Sequence, residues 1–186
     1  MEKNNFVKKI DKEYENANMS GSRLRNKVAR EIYHILPEDE EELLELFNYL
    51  LSLNDFKYFW LVTKWIKRKE LYNLEYMDYY EEWLYNYIDS WGSCDIFCYR
   101  VLNPMVERFS QLYENVWKWS DSDKTYVRRA APVSLLESTR SFKVNVSFNK
   151  VLEISEKLKD DREIHVQKGV GWLLKYAYLS YPDEVY

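Results

Sequence analysis

Residues 121–131 read DSDKTYVRRAA and residues 160–170 read DDREIHVQKGV, so the two segments match at an offset of 39 positions. Each segment begins with an acidic residue, reaches a valine six positions later, and continues with two long polar side chains and a small residue. Leu135 and Leu174 extend the match along the chain. A period near 40 residues is typical of proteins built from repeated helix pairs, which bury their apolar faces only against neighbouring pairs. The repeat therefore predicts stacked antiparallel helices.

Apolar residues recur at helical spacing through most of the remaining chain, and a few helix-breaking residues separate the runs. We expect the first two helices in residues 3–18 and 20–36. A third should start in the acidic run 38–42, and a fourth should be capped by Asn54-Asp55. A fifth is expected in the tyrosine-rich residues 72–90, followed by shorter helices delimited by breaks near Trp91-Gly92, Pro104 and Ser120.

One segment alternates with a period of two instead: Phe142, Val144, Val146 and Phe148. We expect a loop that leads into a helix capped by Ser147. A β-hairpin is the alternative, because strict alternation is also the signature of a half-buried strand.

The composition agrees with an all-α fold. Glycine and proline number four each among 186 residues, which is too few for the many turns of an all-β protein. Hydrophobic residues make up 46% and charged residues 31%, which excludes a disordered chain and a membrane-embedded one. We predict one soluble domain over residues 1–186, an α-solenoid of HEAT-like antiparallel helix pairs.

The net charge and the few metal-binding side chains argue against a nucleic-acid surface that covers the whole protein and against a metal site. The net charge is −4 and the pI is about 5.4, so any surface for nucleic acid must be local. Cys94 and Cys98 lie four residues apart, which fits neither a disulfide framework nor a zinc site, and only His34 and His165 could add ligands. We expect no metal and no cofactor.

The N-terminus has no apolar segment of a secretory signal, and a cytoplasmic location is expected.

A local basic stripe is predicted from the repeat. In stacked helix pairs, Arg128 or Arg129 would stand beside Gln167 or Lys168 on one surface. Lys175 lies seven residues beyond Lys168 and shares its helix face. The stripe would give an acidic protein a positive groove.

Aromatic residues make up 17% of the chain, and two tryptophans have suggestive neighbours. Trp172 follows His165 and Lys168 on the polar face of the last helix, where it could form an aromatic wall in the groove or simply pack against another helix. Trp91 and Asp95 lie four residues apart and share a helix face. A carboxylate in such a place is either a site residue or an ordinary solvated group.

Three segments resemble the signature segments of the DNA alkylation repair family, the AlkD-like HEAT-repeat glycosylases: YIDSWGSCD (87–95), YVRRAAPVSLL (126–136) and HVQKGVGWLLKYA (165–177). Their order and spacing agree with that family. The resemblance implies an α-solenoid that holds duplex DNA in its concave groove. It also implies an enzyme that hydrolyses the glycosidic bond of cationic 3- or 7-alkylpurines.

By position, the resemblance places Trp91, Asp95, Arg129 and Trp172 in the active-site cleft. Asp95 would stabilise the positive charge that develops on the sugar, and Arg129 would hold a neighbouring phosphate. The two tryptophans would pack on the deoxyribose. We expect the remaining groove residues to bind DNA: Arg128, Gln167, Lys168 and Lys175.

A second function stays open, because other branches of the family have lost the activity and recognise unusual DNA structures. The chain would then be a catalytically silent module that binds structured DNA or a protein partner, with the tyrosine-rich residues 72–90 as its contact surface. Pro132, inside the helix that carries Arg129, leaves the direction of that arginine open. In either case we expect a monomer that contacts no membrane.

Overall fold

The computed structural model describes residues 2–139 and 141–184, and the regular elements in these ranges are helical. This confirms the all-α prediction. The chain divides into two compact units, Met1–Leu71 and Tyr72–Tyr186. The single domain with limits at 1 and 186 stays a prediction, and both limits lie outside the described residues. Within the described ranges, no helix combines the length and the apolar character that crossing a membrane requires.

The first unit packs its helices around one tryptophan. Trp65 is fully buried, and its ring lies against the rings of Phe6 and Phe47, with centroids 6.2 and 6.0 Å away. The indole Nε1 donates a hydrogen bond to the Ala29 carbonyl at 2.9 Å. These four residues belong to four successive helices: α1 Lys3–Glu15, α2 Gly21–Ile32, α3 Glu40–Ser52 and α4 Phe56–Lys69.

Aspartates start two of these helices. The Asp39 carboxylate accepts a hydrogen bond from the backbone N–H of Glu42, and the Asp55 carboxylate accepts one from Lys57. Both bonds satisfy N–H groups that have no partner within the helix. The predicted starts of α3 and α4 are confirmed.

The second unit contains seven further α-helical segments within its described residues: α5 Met77–Tyr87, α6 Trp91–Phe97, α7 Asn103–Arg108, α8 Tyr113–Trp119, α9 Thr125–Ser134, α10 Phe148–Leu158 and α11 Ile164–Ser180.

At the break predicted near Pro104 the α-helix is interrupted, although helical structure of another type bridges the gap between Trp91–Phe97 and Asn103–Arg108. A π-helical turn, Cys98–Leu102, joins α6 to α7. Proline has no N–H to donate to the carbonyl four residues earlier, which belongs to Arg100. The Tyr72 hydroxyl donates to that carbonyl at 2.9 Å. A side chain from outside the helix thus satisfies a carbonyl within the π-helical turn.

The two helices of the sequence repeat, α9 and α11, pack against each other. Gly169 allows the close contact: a Cβ atom added there would lie 3.1 Å from Cγ of Pro132. The repeat does not extend along the whole helix. Leu135 is fully buried, whereas its counterpart Leu174 is 42% exposed.

The segment that alternates in sequence forms a loop, as expected, and not a β-hairpin. Its extended pairing consists of an isolated bridge between Leu136 and Val144. Ser147 occupies the N-cap position of α10, but its side chain makes no capping hydrogen bond. Ser147 therefore marks the helix start by its backbone conformation alone.

Gly169→Ala and Gly171→Ala form a matched pair on α11. Alanine stabilises a helix relative to glycine by about 1 kcal/mol, and the space beside Gly171 is open. At Gly169 the new methyl group would press on the rigid ring of Pro132. We expect Gly171→Ala to raise the free energy of unfolding by about 0.5–1 kcal/mol, and Gly169→Ala to leave it unchanged or lower it. Urea unfolding followed by circular dichroism measures both, and equal gains would contradict the close contact.

Candidate active site

The site is built around an ion pair between Arg129 on α9 and Asp95 on α6. Arg129 Nε donates to Asp95 Oδ1 at 2.9 Å, and Arg129 Nη2 donates to Oδ2 at 3.0 Å. The remaining nitrogen, Nη1, donates to the backbone carbonyl of His165 on α11. Arg129 is only 5% exposed. One guanidinium therefore fixes three helices and one carboxylate.

Burial and the ion pair change the pKa values of Asp95 and Arg129 in opposite directions. Burial raises the pKa of the Asp95 carboxyl above its ordinary value, and the hydrogen bonds and charge of Arg129 oppose this rise. Burial lowers the pKa of Arg129, but the hydrogen bonds and charge of Asp95, with smaller effects of Cys94 and Cys98, raise it above the ordinary value, so the guanidinium stays charged. The pair is thus a desolvated carboxylate beside a permanent cation.

The ion pair leaves part of the Asp95 carboxylate available. A carboxylate has about four lone-pair positions, and the two bonds from Arg129 use one on each oxygen. The Asp95 side chain is 17% exposed. Asp95 can therefore accept a hydrogen bond from a water molecule or face a positive charge in a ligand.

Trp91 lies one turn before Asp95, at the start of α6. Its position is fixed by a capping box, in which Ser90 Oγ accepts from the Ser93 N–H and Ser93 Oγ accepts from the Ser90 N–H. Trp91 is 56% exposed, the most exposed of the large apolar side chains described. A Cβ atom added at Gly92 would meet nothing within 4 Å. The indole is therefore largely exposed, one helical turn from Asp95.

Two tyrosines that sequence analysis missed join Trp172 to this site. The ring centroids of Tyr99 and Trp172 are 5.7 Å apart, and those of Trp172 and Tyr176 are 6.0 Å apart. Burial raises the pKa of Tyr99, and the charge and hydrogen bonding of Tyr176 and the charge of Asp95 raise it further. Tyr99 continues the four-residue spacing from Trp91 through Asp95, so this spacing could have identified it.

Arg128 makes a second ion pair, with Asp161, whose backbone carbonyl is also the partner of Gln167. Arg128 Nε and Nη2 donate to the two carboxylate oxygens of Asp161, at 2.7 and 3.2 Å. Arg128 Nη1 donates to the carbonyls of Ser122 and Asp123. The Arg128 side chain is 13% exposed. Its hydrogen bonds connect the loop before α9 to the loop before α11. Neither Arg128 nor Arg129 presents a free charge to a groove.

The other predicted groove residues lie on the exposed surface of α11. Lys168 and Lys175 are both exposed. Gln167 is also exposed, and its Nε2 donates to the Asp161 carbonyl. Half-buried Trp172 lies between the two lysines in sequence. The two lysines are therefore the cations that remain available from the predicted stripe.

The two cysteines lie behind the site. Cys94 and Cys98 are free thiols and both are fully buried. Cys94 Sγ donates to the Tyr126 carbonyl on α9 at 3.4 Å, and burial raises the pKa of Cys98. Across residues 2–139 and 141–184, no three acidic, histidine or cysteine side chains converge as metal ligands.

Comparison with known proteins identifies the family. The family model described as DNA alkylation repair enzyme matches residues 7–186, nearly the whole chain. The chain therefore belongs to this family, and membership indicates an enzyme with a role in the repair of alkylated DNA. A search among curated proteins finds no match.

Arg129→Gln should raise the pKa of Asp95, because it removes the two hydrogen bonds and the positive charge that lower it. It should also lower the free energy of unfolding by about 3–5 kcal/mol, since one partner of a buried ion pair is lost. Carbon-13 NMR of the carboxyl groups during a pH titration measures the first effect, and urea unfolding the second.

Arg128→Gln is the matched control for this experiment. It should raise the pKa of Asp161, which burial alone would raise but which the hydrogen bonds of Arg128 and its charge hold below the ordinary value. The Asp95 titration should not change. An Asp95 midpoint that does not move in Arg129→Gln would contradict the assigned pairing.

Proposed function

We propose that this member of the DNA alkylation repair enzyme family is a DNA glycosylase that excises cationic 3- or 7-alkylpurines from duplex DNA. We also propose that its helices form a single HEAT-like solenoid, with α6, α9 and α11 on the surface that contacts DNA. The observation that carries the proposal is one carboxylate, Asp95, held by a buried arginine one turn from an exposed tryptophan.

One carboxylate suffices for this reaction. A 3- or 7-alkylpurine carries a positive charge, so it departs with the electrons of the C1′–N bond as a neutral base and needs no proton from the enzyme. The deoxyribose develops oxocarbenium character as the bond breaks. The Asp95 carboxylate stabilises that charge, and its free lone pairs orient the water whose oxygen bonds to C1′. The proton that this water loses passes to Asp95 or to solvent.

The indole rings act on the sugar and on the lesion. Trp91 is exposed enough to pack along a deoxyribose, and Trp172 is half-buried against Tyr99. The faces of both rings attract cations. The alkylated base is a cation, whereas an undamaged base is neutral. This difference gives a physical basis for selecting damaged purines.

Arg129 acts in this proposal as a positioning residue and not as a phosphate ligand. Its guanidinium already donates to Asp95 and to the His165 carbonyl, and it is buried. Contacts to the phosphates fall instead to Lys168 and Lys175, with Gln167 beside them. Arg128 contributes indirectly, because it holds the loops from which α9 and α11 begin.

The alternative, a silent binding module, has one observation in its favour: the pair of Asp95 and Arg129 also serves to join helices. The tyrosine-rich residues 72–90, the contact surface expected for a silent module, give this alternative less support. Tyr80 is fully buried, and Glu81 accepts a hydrogen bond from Trp119 Nε1 at 2.6 Å. Much of that segment is therefore engaged within the unit.

Asp95→Asn should abolish most of the excision activity. Asparagine keeps the shape of aspartate and removes the charge, which is worth about a hundredfold to a thousandfold in rate at such sites. Binding to DNA should stay close to that of the wild type. The measurement is single-turnover release of 3-methyladenine or 7-methylguanine from methylated duplex DNA, with circular dichroism to verify folding.

Asp123→Asn is the control for Asp95→Asn, because it removes an exposed carboxylate just before α9. It should release base at the wild-type rate. An active Asp95→Asn enzyme would overturn the mechanism, and a wild type that releases no base would favour the silent module.

Lys168→Glu with Lys175→Glu should weaken binding to duplex DNA at least tenfold at low salt. Wild-type binding should also fall steeply with added salt, because phosphate contacts release counterions. The control pair, Lys8→Glu with Lys118→Glu, changes the net charge equally at exposed lysines on α1 and α8. Fluorescence anisotropy measures both pairs, and an equal loss in the two would show that only net charge matters.

A further inference from the structure

Phe142 is an exposed aromatic residue in an unusual backbone conformation. Its side chain is 55% exposed, and its φ is 62°. A bulky residue at positive φ is a genuine outlier, because its Cβ crowds the following carbonyl. The other positive-φ residues described besides glycine are Asn54, which tolerates this region, and Glu70, which ends α4 in the common left-handed cap. Phe142 has no such local reason.

The loop that carries Phe142 is anchored at its base. The Glu137 N–H donates to the Lys143 carbonyl at 2.9 Å, which closes the loop. The Val144 N–H donates to Ser180 Oγ on α11 at 3.1 Å. On the other side, Ser138 donates through its N–H and its hydroxyl to the carboxylate of Glu107 at the end of α7. Strained conformations persist where the surroundings determine them in this way.

The anchored loop places Phe142 next to the candidate active site. Its ring meets the ring of Tyr176 edge to face, with centroids 5.4 Å apart. Tyr176 in turn contacts Trp172. The exposed ring of Phe142 is therefore two ring contacts from a tryptophan of the site, and exposed Lys143 is its neighbour in the chain.

We propose that Phe142 stacks on a nucleobase that borders the abasic position left by excision. This inference rests on the proposed function. Removal of a base leaves its neighbours in the strand with one face unstacked, and an aromatic side chain held in place can cover that face. An exposed aromatic residue in a strained conformation, in a loop with hydrogen-bonded ends and one ring contact from Trp172's neighbour Tyr176, is suited to this contact. Lys143 would contact the adjoining phosphate.

The test compares binding to two duplexes of the same sequence, one intact and one with a tetrahydrofuran abasic analogue. 2-Aminopurine placed beside the analogue reports stacking through its fluorescence. We expect the wild type to prefer the abasic duplex and to change this fluorescence. Phe142→Gly should weaken binding to the abasic duplex by about fivefold to a hundredfold, with little effect on the intact one.

Two further variants separate stacking from folding. Phe142→Tyr keeps an aromatic face and should retain the preference for the abasic duplex. Leu152→Ala removes another exposed apolar side chain, on α10, and should bind as the wild type does. Glycine accepts positive φ without strain, so Phe142→Gly should unfold at a temperature close to that of the wild type.

Three results would overturn the proposal. Equal binding of wild type and Phe142→Gly to the abasic duplex would show that the ring touches no base. A large loss of thermal stability in Phe142→Gly would make it a packing residue. A change confined to self-association would assign the ring to a protein contact. Release of alkylated purines by the wild type is measured separately, so excision can fail while the Phe142-dependent preference stands, or the reverse.

Discussion

The Arg129 guanidinium is the point where α6, α9 and α11 are held together. It donates to a carboxylate on α6 and to a carbonyl on α11 from a buried position on α9. Removal of such a group would leave a buried carboxylate without its partner, which is far more costly than the loss of a surface ion pair. The orientation of Asp95 therefore depends on the packing of three helices. A carboxylate fixed in this way loses little entropy when it meets a transition state.

The helices themselves could be predicted because their determinants are local. The capping aspartates at 39 and 55 and the apolar spacing of α11 are properties of a few adjacent residues. That spacing puts Val166, Val170 and Leu173 on one face of α11, and the structure buries all three. The helical structure that bridges the break near Pro104 could not be predicted. The π-helical turn there includes the Arg100 carbonyl, whose partner is the hydroxyl of Tyr72, a residue that is distant in sequence and comes near only after folding.

The candidate active site, too, could be predicted only where its geometry depends on residues close together in sequence. Trp91 and Asp95 share a face because of helix geometry, which sequence spacing reveals. Arg128 and Arg129 are adjacent and chemically identical, but they point to different carboxylates, Asp161 and Asp95. A helix turns by about 100° per residue, so the packing of α9 decides which arginine reaches the site. Sequence pattern predicted a basic stripe because it could not assign a partner to either arginine.

The net charge of −4 is compatible with a locally cationic contact surface, because the charges of a protein act mainly on their near neighbours. Asp95 and Asp161 are bound by arginines, and Asp11 accepts hydrogen bonds from Lys57 and the Tyr58 hydroxyl. At physiological ionic strength, charges more than about 8–10 Å apart are largely screened. A phosphate beside α11 would therefore interact chiefly with its near neighbours, the lysines at 168 and 175. Seven residues of helix separate these two by about 10 Å along the axis, a spacing at which one nucleic-acid strand can meet both while the net charge of the chain remains negative.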